Sequence, residues 1–233
     1  MLKKKIKLLI LSFGIILLVG CANDDNDDRH PYYKFNTEDE TLLIKYNYVP
    51  NQIITYENQF GEQLHFKVIL NEREKSEYAT RGTLSGGGGY LSNYYDSKII
   101  RIDILENNIG YDTNGDYSKV NYIFSKNFDR FTNGINFPMW NITFFSFIDE
   151  LQNSVNLYTI DYNSSKKNQM NVNGHLFQNI VLIESNSNET KNDFSTFGPL
   201  IQNVNKIYYD YDFGIVQFSD TEGKEWKVIY PDE

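Results

Sequence analysis

The chain has 233 residues, a net charge of −9, and is 40% hydrophobic and 15% aromatic. Apolar and ring-bearing side chains at this level are enough for a packed core and exclude a disordered body. The acidic balance repels nucleic acid and anionic lipid surfaces, so nucleic-acid binding is not expected, and the length suits one β domain better than two small ones.

In chain order, the first feature is a positive segment, Lys3, Lys4, Lys5 and Lys7, followed by an apolar run from Leu8 to Val19 interrupted by Ser12 and Gly14. This is the layout of a secretory signal. The run is shorter than the roughly 20 apolar residues needed to cross a bilayer core. It ends in Leu18-Val19-Gly20-Cys21, which resembles the lipobox of bacterial lipoproteins. That resemblance implies a diacylglyceryl group on the Cys21 thiol, cleavage after Gly20 and anchoring to a membrane through covalent lipid. Two or three acyl chains hold a protein stably where one does not. Cys21 is the only cysteine in the chain. Once lipidated, it leaves no thiol for a disulfide, a nucleophile or a metal site. Removing the four lysines of residues 1–20 lowers the net charge from −9 to −13.

Residues 21–31 read as a polar, self-repelling tether. Asp24, Asp25, Asp27 and Asp28 behind the cysteine resemble the acidic export signal of Bacteroidetes surface lipoproteins. The implied location is the outer membrane or the cell surface. An ordinary solvated linker is the alternative reading of the same acids.

Residues 32–233 read as a single mainly β, antiparallel domain whose sheet is curled or half-barrel-like, with few short helical turns. Leu64, Phe66, Val68 and Leu70 alternate with wetter positions, as do Ile100, Ile102 and Ile104, which is the period of half-buried strands. Further strands are expected at Leu42–Tyr48, Ile53–Tyr56, Val120–Phe124, Ile142–Phe147, Val155–Ile160, Phe177–Ile183, Lys206–Tyr211, Ile215–Phe218 and Trp226–Tyr230. Turns are expected at Asn58–Gly61, Asn114-Gly115, Asn133-Gly134, Asn173-Gly174 and Glu222-Gly223. Short helical turns are expected at Asp149–Gln152 and Ser195–Asn203. One face should pack Leu64, Phe66, Ile102, Ile104, Phe144, Ile215 and Trp226, with Gly214 bending its strand and Trp226 closing the sheet end. The run from Asn173 through Trp226 resembles the ending of uncharacterised Bacteroidetes lipoproteins, a likeness that speaks to architecture and not to chemistry.

Motifs for chemistry are weak. Ser85–Gly89 lacks the Lys and Ser/Thr that a phosphate loop requires and reads as a hairpin connection. Asp112, Asn114 and Asp116 copy the start of a calcium loop, but Tyr117 stands where glycine is needed and Ile123 where glutamate is needed. They remain a weak metal candidate beside the reading as a hairpin turn. His30, His65 and His175 are not paired at ligand spacing, although His65 and His175 could meet an acid such as Glu184. No Gly-x-Ser-x-Gly elbow is present. Tyr32-Tyr33, Tyr94-Tyr95 and Tyr208-Tyr209-Asp210-Tyr211 each place one ring outward if they lie on strands, where tyrosine can stack on sugars or contact protein.

The expectation is a non-enzymatic envelope lipoprotein of binding or structural accessory type, without catalytic residues or cofactor, with a protein or glycan partner. A carrier of an apolar ligand on a half-barrel sheet is the alternative, and a hydrolase with unrecognised motifs is a third.

Overall fold

The computed structural model describes residues 30–80, 89–106, 119–136, 168–185, 187–195 and 198–231. The expected strands at Ile142–Phe147 and Val155–Ile160, the turns at Asn114-Gly115 and Asp149–Gln152, and Phe144 lie outside these residues. The described residues from Tyr32 onward belong to one compact unit.

The domain is mainly antiparallel β-sheet. Its strands are β1 (Tyr32–Tyr33), β2 (Ile53–Glu57), β3 (Gln63–Thr80), β4 (Tyr90–Ile104), β5 (Lys119–Ser125), β6 (Thr132–Asn136), β7 (Asn168–Val172), β8 (His175–Glu184), β9 (Lys191–Ser195), β10 (Gly198–Gln202), β11 (Val204–Asp210), β12 (Gly214–Asp220) and β13 (Glu225–Ile229). One 11-stranded sheet runs β6-β5-β4-β3-β2-β13-β12-β11-β8-β7, with β1 added alongside β4, and β9 and β10 form a separate pair. Strands β2, β13 and the first half of β3 alternate buried and open positions, which is the pattern that put one apolar face on the core.

The sheet is curled without closing into a barrel. Strands β5 and β12 are five steps apart in the sheet, a separation of about 24 Å if the sheet were flat. Yet the Tyr122 hydroxyl on β5 accepts the Ile215 N–H of β12 at 3.0 Å, and the Tyr122 and Tyr209 rings lie 5.9 Å apart. Accumulated twist brings the two halves face to face. The space between them is filled by rings: Tyr48, Tyr56, Phe66, Tyr122, Phe124, Tyr209 and Phe218 are all less than 2% exposed. Their buried hydroxyls find backbone partners, as buried polar groups must. Tyr48 donates to the Phe213 carbonyl at 2.5 Å and Tyr56 to the Ile215 carbonyl at 2.7 Å. Burial pushes all three phenols, Tyr48, Tyr56 and Tyr122, above the usual tyrosine range. Three tyrosines thus converge on the backbone around Gly214, which has φ +104°.

A short helix, α1 (Thr37–Thr41), precedes β2. Asn36 caps it, accepting the Asp39 N–H at 2.9 Å while Asp39 accepts the Asn36 N–H at 2.9 Å. Asp39 also meets Lys126 in a buried ion pair at 2.9 Å, tying the helix to the segment after β5.

Several expectations are corrected. Leu42–Tyr48 is not a strand: Lys45 N–H and Tyr46 N–H both donate to the Asp212 carbonyl rather than to a sheet neighbour. Leu43, Ile44 and Tyr48 are nonetheless buried. Asn133-Gly134 is inside β6, opposite Phe124 and Ile123. The turn before it is a single 3-10 turn at Asn127–Asp129, where Phe128 and Asp129 take the positive φ. Ser195–Asn203 contributes to the β9–β10 pair, in which Pro199 sits opposite Phe194. A two-stranded pair gives proline an outer edge that needs no N–H. Trp226 stacks on Phe218 in β13, an interior strand, so it does not close a sheet end. Finally, β1 joins β4 in parallel, with Tyr32 opposite Tyr94 and Tyr33 opposite Tyr95.

Candidate functional site

Of the residues singled out in the sequence, Gly20, Cys21, Asp112, Asn114, Asp116 and Ser85–Gly88 lie outside the described residues. Among the described residues, no cluster of three or more His, Cys, Asp or Glu side chains could hold a metal ion, and no helix is long and apolar enough to cross a membrane. His65 and His175 do not share an acid. His65 Nδ1 lies 2.6 Å from Glu106, whose carboxylate also accepts the His65 N–H. Glu184 instead pairs with Lys206 at 2.9 Å. His175 stacks flat on Tyr230, with ring centres 3.6 Å apart and planes 8° apart.

The tyrosine pairs behave differently from one another. Tyr209 is buried while Tyr208 is half-buried, as alternation requires. The other two pairs meet at the β1–β4 register. There Lys75 Nζ sits 3.9 Å from the centre of the Tyr94 ring and 4.9 Å from that of Tyr32. Tyr32 donates to Asp96 at 2.5 Å, and Asp96 also accepts the Phe35 N–H and Arg73, each at 3.0 Å. Burial and the Asp96 bond push Tyr32 up to about 12. Burial works to raise Asp96, but the bonds from Tyr32, Phe35 and Arg73 outweigh it and hold the carboxyl below the usual range.

His175 and Tyr230 belong to an open cleft of about 690 Å³, a size within the range of small-ligand sites. Four segments line it: the loop at 45–52, the start of β8 just after the β7–β8 turn, the β11–β12 turn, and the residues after β13. Each is fixed by local chemistry. Asn173 (φ +48°) and Gly174 (φ +88°) supply the two left-handed positions of a tight hairpin turn. The Asn173 side chain donates to the Val228 carbonyl at 3.0 Å, pinning that turn against β13. Asp210, buried, accepts the N–H groups of Asp212, Phe213 and Asn179 at 2.8, 2.9 and 3.0 Å. It thereby shapes the β11–β12 turn as an Asx turn. Asp212 then holds the 45–52 loop: its carbonyl takes the N–H groups of Lys45 and Tyr46, and its carboxylate takes Lys45 Nζ at 2.7 Å and Asn179 Nδ2 at 2.9 Å.

The walls are aromatic. The Tyr46 ring lies 4.7 Å from Phe213 and 5.9 Å from Tyr230, and Phe177 lies 5.6 Å from Phe213. Gln52 Nε2 donates to the Tyr46 hydroxyl at 2.5 Å. Asn47 and Gln178 stand exposed at the rim. Tyr46, His175 and Tyr230 are half-buried while Phe177 and Phe213 are buried behind them, and no serine or threonine among the described residues bonds to the His65 or His175 ring. Of this set the sequence singled out His175, with the Asn173-Gly174 turn next to it in the chain; Tyr208, Tyr209 and Tyr211 do not line the cleft. Tyr46, Gln52 and Tyr230 went unnoticed because only long-range packing brings them together.

No protein-family model, curated protein or solved structure matches this chain.

Proposed function

We propose that this is a lipid-anchored lipoprotein of the outer membrane or cell surface, of non-enzymatic binding type, which holds its ligand in the ring-lined cleft beside Tyr230. The cleft carries the reading: it is open, of ligand size, and lined by the half-buried rings of Tyr46, His175 and Tyr230 with carboxamides at its rim. The signal layout and Cys21 support the anchor. The acidic run behind Cys21 supports export to the surface. The carrier alternative has less support, since the inside of the curl is filled by its own aromatic side chains. The hydrolase alternative would require a nucleophile, a base and an orienting group converging in one place. The His65–Glu106 pair supplies two of these roles, on the wetter face of β3, and no hydroxyl among the described residues bonds its ring.

The test uses the single cysteine of the chain. With Cys21 blocked by lipid, Asn47→Cys gives one thiol, placed on the cleft rim. A membrane-impermeant maleimide should label this variant on intact cells. The same variant with Asp24, Asp25, Asp27 and Asp28 changed to Ala should be labelled only after permeabilisation. An Asn47→Cys thiol that stays unlabelled even on lysed cells would contradict an accessible cleft.

A further inference from the structure

We infer that the cleft takes a neutral saccharide, recognised by stacking on its rings and by hydrogen bonds to rim carboxamides. This rests on the cleft being the binding site. The charges there are engaged internally. Lys45 and Asp212 neutralise one another at 2.7 Å, and the Asp210 carboxylate is occupied by three backbone N–H groups. An ionic ligand would have to displace one of these partners. The chain's net charge of −9 further repels an anion.

Most N–H groups of the 45–52 loop are engaged as well. In the 45–52 loop, the N–H groups of Lys45, Tyr46, Tyr48, Val49 and Asn51 are bonded to Asp212, Asp212, Tyr46, Gln52 and Val68. An extended peptide gains its affinity from a row of main-chain partners, and this loop presents no row of free N–H donors. Recognition therefore falls to side chains.

Those side chains have a specific chemistry. Tyr46 and Tyr230 are half-buried and line the cleft, one face of the Tyr230 ring being covered by His175. Asn47 and Gln178 are exposed carboxamides, each combining donors and an acceptor; Gln178 Oε1 takes Gln169 Nε2 at 2.7 Å and keeps its own N–H groups. A purely apolar ligand would leave these amides desolvated without partners, which is unfavourable. A pyranose ring has an apolar C–H face that matches the ring surface and a rim of hydroxyls that both donate and accept.

The experiment is calorimetric titration of the full-length lipidated protein, held in a detergent without a sugar headgroup. The probes are neutral oligosaccharides (malto-, cello-, xylo- and N-acetylchito-series), with palmitate and a pool of short peptides as comparison arms. At least one saccharide should bind saturably. Tyr230→Ala should weaken that binding at least tenfold, as should Asn47→Ala combined with Gln178→Ala. Tyr230→Phe should hold it near the wild-type value, and His65→Ala, outside the cleft lining, should leave it unchanged. If Tyr230→Ala fails to fold, the pair of exposed amide variants decides. Saccharide binding indifferent to the amide pair and to Tyr230 would overturn the inference. Binding of peptide or palmitate alone, abolished by the same variants, would overturn the saccharide assignment and leave the cleft as the binding site. Saturation by none of the probes would overturn both.

Discussion

Gly214→Ala should come close to unfolding the domain. Gly214 opens β12 at φ +104°, where a side chain is strained, at about 1–3 kcal/mol. An added Cβ would lie 2.7 Å from Tyr122 Cζ and 2.8 Å from its hydroxyl oxygen. That ring cannot swing aside cheaply, because it is 1% exposed, is packed against Tyr48 and Tyr209, and accepts the Ile215 N–H. Overpacking of this kind costs about 1–3 kcal/mol, and a buried N–H left unbonded costs a similar amount. Together these three amount to roughly 3–9 kcal/mol, against a total stability of about 5–15 kcal/mol for a domain. Urea unfolding followed by near-ultraviolet circular dichroism would read the loss as a lowered midpoint. Pairing Gly214→Ala with Tyr122→Leu separates the causes. The double variant should lose clearly less than the two single losses combined, because the collision is relieved. A Gly214→Ala protein within about 0.5 kcal/mol of wild type, the range of ordinary surface changes, would refute the reasoning.

Lys126→Ala should destabilise by about 3–5 kcal/mol, since it leaves Asp39 buried without its partner, and a thermal melt showing no shift would contradict the role given to that pair. The Asp96 network should give two pH edges in equilibrium unfolding. Because the folded Asp96 carboxyl lies below its ordinary value of 3.8, its contribution is present above that value and is lost as pH falls through the folded one. Because folded Tyr32 lies above 10.0, near 12, its contribution is complete below 10.0 and is lost as pH rises through about 12; Tyr32→Phe should remove that alkaline edge.

How far the sequence revealed this molecule depended on the range of the interactions involved. Strands such as β2, β8 and β13 were legible because alternation is local and one face is buried. The distal half of the β3–β4 hairpin was not, since residues such as Glu72, Arg73, Glu74 and Lys75 are exposed and leave no period to see. The loop at 42–48 misled for the opposite reason, having buried apolar residues without sheet pairing. The insertion of β13 between β2 and β12 follows from pairings such as Val228 with Tyr56, which no local signal announces. The cleft was half legible. His175 and Asn173-Gly174 stood out, whereas the hold of Asp212 on Lys45 and Tyr46 spans more than 160 residues and appears only in the folded chain.

The most direct test of the whole account is incorporation of labelled palmitate into the wild-type chain and into Cys21→Ala. A lipid-anchored envelope protein requires label on the wild-type chain, and on Cys21→Ala neither label nor cleavage after Gly20. Equal labelling of the two chains, or none on either, would contradict the anchor on which the proposed role depends.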